Sequence, residues 1–172
     1  MARNYAEALF ELGESGGHTD RFAELIGAVA GAVETTPEVQ AVLMSPRVPK
    51  SQKMRFLGAA LEGAPREFVL FLQALVKRGR QRHLGEIAAE YMALLDIKQN
   101  RVRAGVTLAR PADESLQRDI QAALSRRLGK EVIAAFHVDP EILGGTVVRV
   151  GERIHDGSVR RRMTKLRRLL SR

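Results

Sequence analysis

Through its first hundred positions the chain places apolar residues three and four apart, and after Arg101 they fall close to every second position. The first spacing is that of amphipathic helices and the second that of half-buried strands. A first helix is expected over Tyr5 to Glu14, broken by Ser15-Gly16-Gly17. A second opens at Thr19 or Asp20 as N-cap and carries Phe22, Leu25, Ile26, Val29 and Val33. Pro37 suits the first turn of a short third helix that ends before Ser45-Pro46. Lys50 to Leu61 repeats the pattern with Met54, Leu57 and Leu61. Pro65 starts a fifth helix through Lys77, ended by Gly79, and a sixth runs roughly from Gln81 to Gln99. Helices joined by such short connections make a six-helix bundle over residues 1–100.

The second part reads differently. Arg101 to Leu108 is a strand with β-branched residues near period two, and Asp113 to Leu128 is an amphipathic helix closed by Gly129. Val132 to Val138 is a second strand and Asp139-Pro140 a turn. Thr146 to Val150 and Glu152 to His155 pair as strands across Gly151. A final helix follows with Ser158 as N-cap. Residues 101–172 are therefore a small basic α/β domain, and the fold class is α+β: a six-helix bundle followed by a small α/β unit.

Two helices of the bundle carry more apolar surface than one neighbour requires. In the first, Tyr5, Ala6, Ala8, Leu9, Phe10 and Leu12 cover an arc of about 200° at 100° per residue, roughly twice the width needed to face one core. In the fifth, the run from Phe68 to Val76 puts apolar residues on nearly every side. Two readings fit. Siblings cover the helices all round, or the helices form a groove that an incoming partner helix completes. A hundred-residue bundle has little true interior, which favours the groove.

Charge sharpens the division. Of the 172 residues, 1–100 hold 12 basic and 12 acidic residues, whereas 101–172 hold 16 basic and 8 acidic, so the net charge of +8 lies wholly in the second part. In the final helix Arg160, Arg161, Arg162, Lys165, Arg167, Arg168 and Arg172 surround Val159, Met163, Leu166 and Leu170, whose spacing is that of a helix packing on another surface. Either that stripe docks on the domain's own sheet beneath a solvated basic face, or the basic face meets an acidic partner. Nucleic acid is a weaker partner, because Phe136 is the only aromatic residue of the basic part and no binding motif accompanies it. The longest apolar uncharged stretch, Leu25 to Val33, is far short of the ~20 residues of a membrane span, and the N-terminal residues lack a signal-type apolar segment. A soluble protein is expected.

Catalytic chemistry finds no footing in the sequence. His18, His83, His137 and His155 have no ligand-type spacing, there is no Cys, and Gly144-Gly145 precedes a strand rather than a helix. Asp156-Gly157-Ser158 reads as a turn and a cap rather than a nucleophile. Neither a cofactor nor a metal is expected.

The order of motifs resembles the delta subunit of the F-type ATP synthase, the family of the mitochondrial oligomycin sensitivity conferral protein, over essentially the whole chain. Ala2-Arg3-Asn4-Tyr5-Ala6-Glu7-Ala8-Leu9-Phe10 is similar to that family's opening. Ser45-Pro46-Arg47-Val48-Pro49, Lys77-Arg78-Gly79-Arg80 and Leu84-Gly85-Glu86-Ile87 follow. The most specific signature is Asp139-Pro140-Glu141-Ile142-Leu143-Gly144-Gly145, then Val150-Gly151 and Ile154-His155-Asp156-Gly157-Ser158-Val159. The family often has a small residue where this chain has Arg161, and commonly Pro where it has Gly85.

The resemblance implies a non-catalytic stator subunit without cofactors. Its bundle would grip N-terminal helices of the head's alpha subunits, and its second domain would meet the b-subunit stalk. No homo-oligomer and no nucleic acid are implied. The membrane would be reached only through the complex, on the cytoplasmic face of the bacterial cell membrane. Carried over by position, Tyr5, Ala8, Leu9 and Leu12 would line one wall of the alpha-subunit groove, and Phe68, Leu72, Leu75 and Val76 the other. Arg160, Arg162, Lys165, Arg167 and Arg168 would face the stalk.

Overall fold

The computed structural model describes residues 1–161 and 163. Residues 1–98 form α1 (Ala2–Gly16), α2 (Thr19–Thr35), α3 (Pro37–Met44), α4 (Lys50–Ala60), α5 (Arg66–Lys77) and α6 (Leu84–Lys98), the last preceded by one 3-10 turn at Gln81–His83. The breakers act where their chemistry dictates. Gly17 takes the left-handed conformation (φ 68), which lets the His18 N–H bond back to the Gly13 carbonyl at 2.8 Å and closes α1. Gly79 (φ 70) does the same service after α5. The N-cap of helix α2 lies one residue before the expected Thr19 or Asp20: it is His18, whose carbonyl accepts from Phe22 N–H at 2.8 Å.

The chain divides into two units, Met1–Leu95 and Asp96–Arg172. The core of the first is aromatic at its centre despite the few aromatic residues available. Phe22 and Phe68 are fully buried against each other, 5.4 Å between ring centroids, and buried Tyr91 sits edge-on to Phe10 at 5.5 Å. The Tyr91 hydroxyl donates to the Thr19 carbonyl at 2.9 Å, giving the buried phenol its partner. Gly13 lies where α1 passes closest to this layer: a Cβ there would stand 3.0 Å from the Tyr91 hydroxyl and 3.2 Å from Phe22 Cδ2. Lys53 is buried as well. Its ammonium donates to the Leu43 carbonyl at 2.7 Å, capping the C-terminal end of α3.

In the second unit β1 (Arg101–Leu108), β2 (Glu131–Val138), β3 (Thr146–Val150) and β4 (Arg153–Asp156) form one sheet in the order β2-β1-β3-β4. β1 and β2 are parallel, in register from Arg101 opposite Glu131, and such a pair requires a crossover; α7 (Glu114–Leu128) supplies it. β3 runs antiparallel to β1 and to β4. The two-residue link between β3 and β4 puts Gly151 at φ 57, the positive φ that a hairpin with glycine at its first loop position needs. Burial alternates along β1, where Ala104, Val106 and Leu108 are buried with Val132 and Val148, and Ile120, Leu124 and Leu128 of α7 cover them. Asp96, buried in the last turn of α6, accepts from Arg103 Nε at 2.7 Å and lies 3.6 Å from Arg101. Asp113 caps α7 through its carboxylate, which accepts from Leu116 N–H at 2.8 Å. Ser158 caps the helical residues 159–161, its hydroxyl accepting from Arg161 N–H at 3.2 Å.

Candidate partner-binding surfaces

Helix α1 buries Ala6, Leu9 and Gly13, spaced three and four apart, and turns Tyr5, Ala8 and Leu12 to the rim of that face. Tyr5 is half-buried, Ala8 exposed, and Leu12 41% exposed. Helix α5 buries Phe68, Phe71, Leu72, Leu75 and Val76. Its outward side carries Leu70, 51% exposed, and Ala74, exposed and one turn beyond Phe71. The Tyr5 ring meets Phe71 edge-on at 6.4 Å, so the uncovered stripe of α1 and the uncovered side of α5 adjoin.

This arrangement corrects five of the expected wall residues. Leu9, Phe68, Leu72, Leu75 and Val76 are buried in the bundle's own core. The all-round apolar run of α5 belongs to a helix enclosed by its siblings on its main face, with Phe68 against Phe22, so these side chains serve the fold. What remains outward of the expected set is Tyr5, Ala8 and Leu12 on α1. Leu70 and Ala74 join them on α5. Sequence reasoning missed these two because a helix apolar on every side conceals which side is out.

At the other expected surface, Arg160 is exposed and its Nη1 lies 3.5 Å from Glu141 Oε2. Arg162, Lys165, Arg167 and Arg168 lie outside the described residues. The histidines are scattered: His83 Nδ1 is 3.1 Å from Glu86, His18 lies near Phe22, and His137 and His155 are exposed. Among the described residues no three His, Cys, Asp or Glu side chains group so as to hold a metal ion.

A six-helix bundle followed along the chain by a small mixed-sheet unit is an α+β protein. The family model described as "ATP synthase delta (OSCP) subunit" matches residues 1–170. An ATP synthase subunit delta from Gemmatimonas aurantiaca is 42% identical over 98% of this chain and 91% of its own length. Those of Desulforamulus reducens and Symbiobacterium thermophilum are 35% and 36% identical over 99% of this chain and 96% and 93% of theirs. A chain in the cryo-EM structure of the Toxoplasma gondii mitochondrial ATP synthase hexamer shares the fold, with a TM-score of 0.72 at 22% identity, covering 100% of this chain and 98% of that one. The chain belongs to the ATP synthase delta (OSCP) subunit family.

Proposed function

We propose that this chain is a non-catalytic peripheral-stalk subunit of an F-type ATP synthase. Its bundle holds an N-terminal helix of the alpha subunit, and its second unit meets the b-subunit stalk. In this way it resists rotor torque while protons drive ATP synthesis. The observation that carries the reading is the uncovered apolar stripe of Tyr5, Ala8 and Leu12 beside Phe71 and Ala74. Alanines at Ala8 and Ala74 leave room for a second backbone to approach, while Leu12 and Leu70 supply apolar edges, which is what an amphipathic helix in a groove requires. The chain sits on the cytoplasmic face of the bacterial cell membrane through its partners; no helix among the described residues is long and apolar enough to cross a membrane.

A stator joint must outlast many rotor steps. A contact with nanomolar Kd forming at ~10⁶ M⁻¹s⁻¹ lasts on the order of a thousand seconds, and a micromolar one about a second. Only the former survives thousands of turnovers at roughly 1–10³ steps per second. Such a joint needs a few well-seated apolar anchors rather than surface charge alone. The test is reconstitution. Membranes and catalytic heads from a strain lacking this chain should regain proton-driven ATP synthesis on addition of the purified protein. Full coupling in its absence would refute the role.

A further inference from the structure

Seven of the twelve Lys and Arg residues in 1–100 fall within two short stretches, 47–53 and 77–82. The fold brings those stretches together. The Lys50 ammonium, at the start of α4, donates to the Lys77 carbonyl at the end of α5 at 2.7 Å. The Gln81 amide donates at 3.4 Å to the Leu43 carbonyl in the last turn of α3, the same carbonyl that Lys53 reaches. The corner between α3 and α4 therefore lies against the corner between α5 and α6. Lys50 and Lys53 are engaged there on the carbonyls of helix ends. Arg47, Lys77, Arg78 and Arg82 stay exposed, and Arg80 is half-buried.

The chain supplies no acid to answer this charge. Residues 39–61 and 68–85 contain neither Asp nor Glu. Among the described residues, none of these five side chains has a carboxylate partner, and Glu86 is 3.1 Å from His83. Residues 1–100 are neutral as a whole, so the bundle is polarised. The charged corner is also fixed in shape. Gly79 at φ 70 lets the Arg80 N–H bond back to the Leu75 carbonyl at 2.9 Å, and Arg47 N–H bonds the Ser45 hydroxyl at 3.2 Å. Like charges crowded on a pinned surface repel one another, a cost that the apolar stripe of α1 and α5 does not require. We propose that this corner, centred on Arg47, Arg78 and Arg82, is a second contact surface of the bundle, for a carboxylate-rich protein surface of the catalytic head. The inference rests on the stator reading above and adds a charged contact to its apolar joint.

Chemistry and placement select that occupant. Arginine forks match carboxylates in pairs of hydrogen bonds, and a rigid backbone holds them ready for a rigid partner. Single-stranded nucleic acid wants aromatic faces, and 43–53 and 76–83 contain no Phe, Tyr or Trp. A membrane surface wants bulky apolar anchors, and no large hydrophobic residue of those stretches is exposed. A second copy of this chain would offer Glu7 and Glu24, which its own Arg3 and Arg21 already hold at 2.9 Å. The head remains. An α1–α5 groove filled by the head's helix keeps the head's other surfaces at high effective concentration beside the same bundle. A charged contact there orients the docked bundle and speeds its arrival.

The experiment is titration of the full chain with the purified catalytic head, comparing wild type with the triple variant Arg47→Gln, Arg78→Gln, Arg82→Gln. All three side chains are exposed, so the variant should unfold at the wild-type temperature. At low ionic strength its affinity for the head should fall at least tenfold, and the gap should close in ~1 M salt, where charges are screened beyond about 3 Å. A peptide of the alpha subunit's N-terminal helix should bind both proteins alike, because the groove is untouched. Equal affinity of both proteins for the head at low salt overturns the second surface and leaves the stator role standing. A loss that persists in ~1 M salt, or that extends to the peptide, overturns the charged contact. Failure of wild type to bind the head overturns the stator reading and this proposal with it. If the substitutions leave the head's affinity unchanged and instead abolish self-association in sedimentation, or binding to vesicles of phosphatidylglycerol and phosphatidylcholine, the occupant is wrong.

Discussion

Tyr5 of α1 meets Phe71 of α5 edge-on, with ring centroids 6.4 Å apart and planes at 72°. The contact separates two kinds of apolar residue. On its inner side Leu9 and Leu72 are sealed in the bundle, and on its outer side Ala8, Leu12, Leu70 and Ala74 meet solvent. Substitutions on the two sides should therefore fail in different ways.

On the inner side, Leu72→Ala should destabilise the bundle by about 2–5 kcal/mol, because it removes buried methyl groups and leaves a cavity. Leu9→Ala should do the same. Urea denaturation followed by circular dichroism reads both; little change in either midpoint would place these side chains outside the core.

Gly13→Ala inverts an ordinary rule. In a helix interior alanine is favoured over glycine by about 1 kcal/mol. Here the added methyl would meet the Tyr91 hydroxyl at 3.0 Å and Phe22 at 3.2 Å. The overpacking should turn the gain into a loss of about 1–3 kcal/mol. A stabilised variant would show that α1 and its neighbours separate easily.

Tyr91 should make the bundle sensitive to alkali. Burial first, then the nearby charges of Asp20 and Glu14, push its phenol from 10.0 to about 12. A group whose folded-state pKa is raised holds its proton where the unfolded chain has lost it. Its contribution is full below pH 10.0 and disappears as pH climbs through about 12. Tyr91→Phe should cost about 0.5–1.5 kcal/mol at neutral pH through the lost bond to Thr19. It should also flatten the alkaline limb of the stability profile, and an unaltered limb would contradict the assignment.

The second unit should respond to acid. The Asp113 carboxylate is lowered from 3.8 by the Leu116 N–H and then by Ser115. Asp156 is lowered chiefly by the Ser158 hydroxyl and then by its N–H. Depressed folded-state values give stability that is present above the ordinary carboxylate range and is lost as pH falls through it. Asp113→Asn keeps an accepting oxygen without the titration. Its denaturation midpoint should depend less on pH between about 5 and 3 than that of wild type; an equal dependence would exclude the cap as the cause.

Much of this was legible in the residues. Helix ends followed from Gly17, Pro37 and Gly79, whose backbone chemistry leaves few options, and the strands of the second unit from the switch of period after Arg101. Less legible was anything decided by which neighbour a helix meets. The run from Phe68 to Val76 does not say that Leu70 and Ala74 face out, because only packing against Phe22 and Tyr5 fixes the rotation of α5. Lys53 reads as an exposed helix position, yet the Leu43 carbonyl draws it inside. Gly13 looks like a weak point in a helix until Tyr91, far along the chain, is brought against it. The left-handed backbone of Leu143, at φ 61, is invisible in a motif that merely ends in two glycines.

The most direct measurement is the affinity of the full chain for a peptide spanning the N-terminal helix of its alpha subunit, with Ala8→Glu and Ala74→Glu beside wild type. Both positions are exposed, so each variant should unfold at nearly the wild-type temperature. Binding should nevertheless weaken by about a hundredfold, since a charge would be buried without a partner. Wild-type affinity in both variants would mean that the stripe beside Tyr5 and Phe71 is not where the partner helix lies.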